Sequence, residues 1–114
     1  MVNRALPLDA VFSALGDPVR RQIVERLARK PLTVGEIASG FPISQPAISR
    51  HVRILEESGL LERRVLGRVH RCTLSPAAMN AASAWIEKQR SFWTAALDRL
   101  DHLLAETPKR KKSK

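Results

Sequence analysis

Apolar residues recur at helical spacing in four short segments and one long one. Leu8, Val11, Phe12 and Leu15 share one helical face, and Gly16 ends that segment. Asp17-Pro18 opens the next. Aspartate is a strong N-cap, and proline suits the first helical position, where an N–H has no intrahelical partner anyway. Val19, Ile23, Val24 and Leu27 form the apolar face of this second helix, and Pro31 terminates it. Thr33-Val34-Gly35-Glu36 matches a capping box, in which the first and last residues satisfy each other's backbone N–H groups. A third, short helix is therefore predicted to carry Ile37, Ala38 and Phe41, with Phe41-Pro42-Ile43 as a three-residue turn. Ser44 caps a fourth helix that runs to about Ser58, where Gly59 supplies the left-handed residue that closes many helices.

Leu60 to Leu74 is rich in β-branched and apolar residues broken by Gly67, which predicts a hairpin with its tip near Leu66-Gly67-Arg68. Its phase is ambiguous: His70, Cys72 and Leu74 share one face, Val69, Arg71 and Thr73 the other. Ser75-Pro76 restarts helix, and Ala77 to Glu106 contains neither glycine nor proline. At about 1.5 Å per residue that helix is about 45 Å long. A 100-residue domain has a radius of gyration near ~13 Å, so such a helix is expected to overhang its own core. The predicted fold is mostly α with a small β-hairpin: a winged helix-turn-helix with a long C-terminal dimerisation helix. One domain is expected over residues 1–106, with 107–114 as a disordered basic tail.

The third and fourth helices form a helix-turn-helix, whose second helix lies in the DNA major groove with its opening residues on base edges. On a helical wheel Ile48, Val52 and Leu55 cluster on one side of the fourth helix. Pro46, Ser49, Arg50, Arg53 and Glu57 lie opposite, with Gln45 on the flank. With Ser44 at the cap, the outward face near the start offers an amide, hydroxyls and two guanidinium forks. Arginine pairs with guanine O6 and N7, and glutamine with adenine N6 and N7, so these are the groups the major groove selects. On an isolated amphipathic helix the same arginines would read as a solvated face. Here the cap, the turn and the following hairpin all agree on DNA contact. The hairpin adds Arg63, Arg64, Arg68 and Arg71, a basic wing placed for flanking phosphates or the minor groove; the alternative is a strand edge charged against aggregation. Arg20 and Arg21 stand in the first turn of the second helix, where cations oppose the dipole, which suggests a phosphate contact or an interface pair. His51 borders the apolar side and reads as a packing residue ahead of a phosphate contact.

Charge supports a polyanionic partner only in part. The net charge is +9, but the tail holds five of the 20 basic residues, leaving 15 against 11 acidic ones, so placement matters more than total. Cys72 is the single cysteine, which excludes an intramolecular disulfide and any Cys-only metal site within one chain. No apolar run reaches the ~18 residues of a membrane span, and Met1 to Pro7 lacks the apolar stretch of a secretory signal. A cytoplasmic address without a membrane partner is expected. His70 and Cys72 are too few ligands for a closed metal site, and no catalytic constellation or phosphate-cradling glycine loop is present, so neither enzyme activity nor a cofactor is expected.

Residues 12–23 (FSALGDPVRRQI), 32–38 (LTVGEIA) and 43–60 (ISQPAISRHVRILEESGL), with the hairpin, resemble the ArsR family of winged-helix transcriptional repressors. The resemblance covers most of residues 8 to 75. It implies a dimeric repressor on an inverted-repeat operator of double-stranded DNA, with the first and last helices, including Val11 and Phe12, at the dimer interface. Relatives that sense metal carry a Cys-x-Cys pair in the third helix, where this chain has Thr33-Val34-Gly35-Glu36. Others bind zinc through Asp and His pairs on the last helix; Asp98, Asp101 and His102 lack a second histidine. The resemblance is thus to a branch without the metal site, its effector unidentified.

The last helix carries its own evidence for a homodimer. Ile86, Trp93 and Leu100 recur every seven residues; Ala82, Gln89, Ala96 and Leu103 form a second row, flanked by Leu97 and Leu104. That stripe is wider than a coiled-coil seam, as suits a helix serving both its own core and a partner. Trp85, Phe92 and Trp93 are large anchors for such an interface. A rival reading, a protein-interaction module on the same scaffold, leaves the arginines of the fourth helix without a purpose.

Overall fold

The computed structural model describes residues 8–106, so the expected basic tail at 107–114 lies outside the described residues. The chain divides into two units, one ending at Ala82 and the other starting at Ser83. In the first unit α1 (Leu8–Leu15) and α2 (Pro18–Arg29) are followed by β1 (Leu32–Thr33), α3 (Val34–Ala38), α4 (Gln45–Glu57), β2 (Leu61–Leu66) and β3 (Val69–Leu74). The last helix, α5 (Pro76–Glu106), begins in this unit and supplies the whole described part of the second. Among the described residues no helix is long and apolar enough to cross a membrane.

Helix ends form where the side chains satisfy orphan backbone groups. Asp17 accepts the backbone N–H of Arg20 at 3.0 Å, ahead of Pro18 at the first position of α2. Thr33 and Glu36 close both halves of the capping box at 3.1 and 2.9 Å. Gly59, at φ 89°, terminates α4: its N–H reaches the Glu56 carbonyl and the next N–H, of Leu60, returns to Leu55. This is a Schellman closure, and its accompanying apolar contact is supplied by Leu55 and Leu60, both fully buried.

Arg20 and Arg21 find a different use from the phosphate or interface contact expected of them. Arg20 donates from Nε to the Ala14 carbonyl at 2.7 Å and from Nη2 to Ser13 at 3.3 Å, while Arg21 Nη1 reaches the Leu15 carbonyl at 2.8 Å. Those are carbonyls of the last turn of α1, the negative pole of that helix, and of the three the Ser13 oxygen also accepts the Gly16 N–H, so the two cations oppose one dipole while complementing another. Arg26 does the same for α3, donating to the Ile37 and Glu36 carbonyls at 3.3 and 3.4 Å while its guanidinium lies 5.7 Å from the Phe41 ring centre. Gly40 leaves the space this requires, because a β-carbon there would meet the Arg26 guanidinium.

Two details depart from expectation. The third helix ends at Ala38, so Phe41 lies beyond it and the connection to α4 spans residues 39–44. The hairpin also gains a third strand: β1 pairs antiparallel with β3 (Leu32 with Cys72), giving the order β1-β3-β2. The β2–β3 register runs from Leu61 opposite Leu74 to Leu66 opposite Val69, leaving Gly67-Arg68 as a two-residue loop with Gly67 at φ 67°. The strand phase is settled as well. Leu61 and Cys72 are enclosed, whereas Arg64 and Arg71 stand opposite each other on the exposed face.

The core of the first unit gathers Val11 and Ala14 of α1, Ile23, Val24 and Leu27 of α2, Ile37 of α3, and Ile48, Val52 and Leu55 of α4 against Leu61 and Cys72 of the sheet, with Ala78 and Ala82 of α5. Val11 is thus wholly enclosed by its own chain, and Phe12 is the neighbouring α1 side chain that retains surface. In the second unit Trp85, Ile86, Phe92, Trp93, Leu97, Leu100, Leu103 and Leu104 are all exposed. At 3.6 residues per turn these eight fall within an arc of about 140° on α5.

The Asp17 cap makes stability sensitive to acid. Its carboxylate is held below the ordinary aspartate value of 3.8, chiefly by the Arg20 backbone N–H, with the nearby His51 and Arg20 charges adding to it against opposing burial. The folded pKa is the lower one, so the stabilisation is complete above the ordinary value and vanishes as pH falls through the folded one. Asp17→Ala should cost about 1 kcal/mol, read as a Tm lower by about 4–8 °C near neutral pH. Thermal melts of both proteins should converge below about pH 4 as the carboxyl protonates; a gap unchanged into that range would remove the charge from the cap's contribution.

Candidate nucleic-acid interface

Helix α4 is pinned by the complete burial of Ile48, Val52 and Leu55 on one side. Ser44 fixes its first turn by accepting the Ala47 N–H at 3.2 Å. With the axis held there, periodicity turns Gln45, Pro46, Ser49, Arg50 and Arg53 to solvent, and all five are exposed. Pro46, Ser49, Arg50 and Arg53 line one shallow depression on the helix surface. Neither Arg50 nor Arg53 has a hydrogen bond or ion pair with any described residue, so both guanidinium forks are left for a partner.

The sheet splits the four arginines expected in the wing. Arg68 is exposed in the tip loop, and Arg64 and Arg71 oppose each other across β2 and β3. The latter two line a groove with Glu62, Thr73 and part of Arg63. Arg63 is instead engaged inside the chain. It points to the α4 side of the sheet, where Nη2 donates to Glu56 Oε1 at 2.8 Å and Nη1 lies 3.3 Å from His70 Nδ1. Alternation along β2 decides this: Arg63 shares its face with Leu61, whereas Arg64 faces away. The strand ends that carry the tip loop are apolar, with Val65, Leu66 and Val69 all exposed.

His51 occupies the flank of α4 as a hydrogen-bonded packing residue, its Nδ1 3.2 Å from Arg20 Nη1 and 3.9 Å from Asp17 Oδ2. Sequence reading left this link to the α1–α2 corner unnoticed, because 31 residues separate Arg20 from His51 and no local spacing joins them. Cys72 is enclosed in the core, where burial pushes its thiol up, away from the reactive thiolate. Among the described residues no three His, Cys, Asp or Glu side chains gather as a metal ion would require.

Residues 15–64 match a family model described as a helix-turn-helix domain, a span that contains α2 to α4 and much of β2. The chain is 40% identical over 89 residues to the HTH-type transcriptional regulator Rv2034 of Mycobacterium tuberculosis, covering 78% of this chain and 80% of that protein. It is 32% identical over 79 residues to the transcriptional repressor SdpR of Bacillus subtilis, covering 69% and 88% respectively. Among solved structures it superposes on an ArsR family transcriptional regulator with a TM-score of 0.73 and 37% identity, covering 76% of this chain and 96% of the other.

The Glu56–Arg63 pair joins α4 to β2 and should be measurable as a coupling. Arg63→Ala and Glu56→Ala should each lower stability, and the double variant should fall short of their sum by up to about 1 kcal/mol for a pair this accessible. Strict additivity in urea melts would mean that the bridge contributes nothing to holding the sheet against α4.

Proposed function

Since this chain belongs to the ArsR family of winged helix-turn-helix transcriptional regulators, we propose that it is a homodimeric repressor that reads a palindromic operator with the outward face of α4. One observation carries the reading: Arg50 and Arg53 are exposed beside Ser49, without a partner among the described residues, on a helix whose other side is fully buried. A guanidinium fork with no acceptor among the described residues is matched by the paired acceptors of guanine, and the Gln45 amide by adenine. Pro46 adds an apolar surface of the kind that meets a thymine methyl. Ser44 supports this face as the cap of α4. Arg64, Arg68 and Arg71 then serve as backbone contacts that set affinity and register.

A palindrome requires two copies, and the apolar arc of α5 is the surface proposed to join them. Trp85, Ile86, Trp93, Leu97, Leu100 and Leu104 supply its bulk, and Phe12 of α1 is proposed as a further contact. A two-fold axis would set two copies of α4 in successive major grooves about 34 Å apart. An effector that changed that separation would regulate binding; its chemistry is left open.

Two measurements test the reading. Selection of duplexes from a random pool should yield an inverted repeat. On the selected site, Arg50→Gln or Arg53→Gln should lose about 1–3 kcal/mol, with relaxed preference at one base pair per half-site, whereas Arg68→Gln should weaken all sequences alike and flatten the salt dependence. Variants that bind selected and random duplexes as the parent does would defeat these assignments.

Sedimentation tests the second copy. Leu100→Glu places a charge inside the proposed seam and should yield a monomer whose operator affinity is roughly a hundred-fold weaker, because the two half-sites are no longer linked. A dimer that survives this change would move the interface away from α5.

A further inference from the structure

The contact between Arg20 and His51 fixes more than packing. A guanidinium carries only donors, so His51 Nδ1, 3.2 Å from Arg20 Nη1, is the acceptor of that hydrogen bond. In the neutral ring the proton therefore resides on Nε2. Arg20 itself has little freedom. Its Nε and Nη2 are committed to the carbonyls of Ala14 and Ser13, and its backbone N–H to Asp17. The tautomer of a residue on α4 is thus set by a side chain anchored at the end of α1.

The other ring nitrogen is available. Nε2 has no hydrogen-bond partner among the described residues, yet none of their buried side-chain nitrogens or oxygens lacks one, so Nε2 reaches solvent. The side chain as a whole is only 20% exposed, which makes this a directed donor rather than a freely rotating one. His51 follows Arg50 in sequence and lies on a flank of α4, between the buried seam and the exposed centre. When a helix lies along a groove, its outward centre meets base edges and its flanks meet the sugar-phosphate walls.

We propose that His51 Nε2–H donates to a DNA backbone phosphate, and that Arg20 is the positioning residue that holds the imidazole in the donating tautomer. This rests on the reading of α4 as the DNA-reading helix. The contact would anchor the α1–α2 corner to the same strand that α4 follows, so that the base-reading arginines enter the groove at a fixed depth.

Two substitutions separate the halves of the ring. His51→Asn keeps an acceptor near the Nδ1 position and removes the outer donor; His51→Gln places an amide donor near the Nε2 position. Titrations against a random-sequence duplex and against a selected duplex, at several salt concentrations, should show His51→Asn weaker on both by roughly ten-fold, the scale of one hydrogen bond to a charged group. The salt slope should stay that of the parent, because a neutral donor displaces no counterion. His51→Gln should recover most of the loss. Independently of DNA, nitrogen NMR of the parent's neutral ring should show the proton on Nε2, and Arg20→Met should give a mixture of tautomers. Parent-like binding by His51→Asn, or a ring protonated at Nδ1 in the parent, overturns the proposal while the operator reading stands. A parent that binds neither duplex overturns both.

Discussion

Everything functional in the first unit depends on the burial of three side chains on one face of one helix. Ile48, Val52 and Leu55 are completely enclosed, so α4 has a single rotational setting about its axis. A shift of one residue would turn the helix by about 100° and carry a charged side chain towards the core, where an unpaired charge is prohibitively costly. The Ser44 cap and the left-handed Gly59 fix where the helix starts and stops, which removes sliding along the axis as well. Orientation of the arginine face is therefore a by-product of apolar packing and needs no contact of its own. That separation of tasks lets the outward residues vary without disturbing the fold.

Around that helix, α2 acts as a distributor of positive charge to its neighbours' ends. Arg20 and Arg21 satisfy the carbonyls that close α1, and Arg26 those that close α3. Short helices such as these, of eight and five residues, are too brief to persist alone in water. Caps donated from a third element allow them to end sharply within the body without leaving carbonyls unsatisfied. The same guanidinium that finishes α1 continues to His51, so the corner preceding α2 and the flank of α4 belong to one connected polar network.

Much of this was legible from local rules. The caps at Asp17, Thr33 and Ser44 and the closure at Gly59 place the helices where they are found, because capping depends on residues within four positions. The run without glycine or proline likewise disclosed α5. What escaped were features set by distant chain. A two-residue strand has no alternation to detect, so β1 is visible only through its pairing with β3. Arg26, a residue of another helix, donates to the Ile37 carbonyl at the end of α3, a contact that no local spacing announces. The strand phase, and with it the diversion of Arg63 to Glu56, required knowing which face α4 covers. The oddly placed cations of α2 did signal a purpose, but their acceptors lie six and seven residues back across a chain reversal.

The enclosure of Cys72 has a practical corollary. The chain contains one sulfhydryl, and it is sealed between the sheet and the helices with its ionisation disfavoured. Accessible thiolates attack maleimide and other electrophilic labelling reagents, so the native sulfur will stay silent towards them in the folded state. A cysteine introduced on any exposed position would then be the sole labelling point, and the natural background can be retained intact. The molecule comes ready for distance spectroscopy, with no prior removal of a residue that its interior needs.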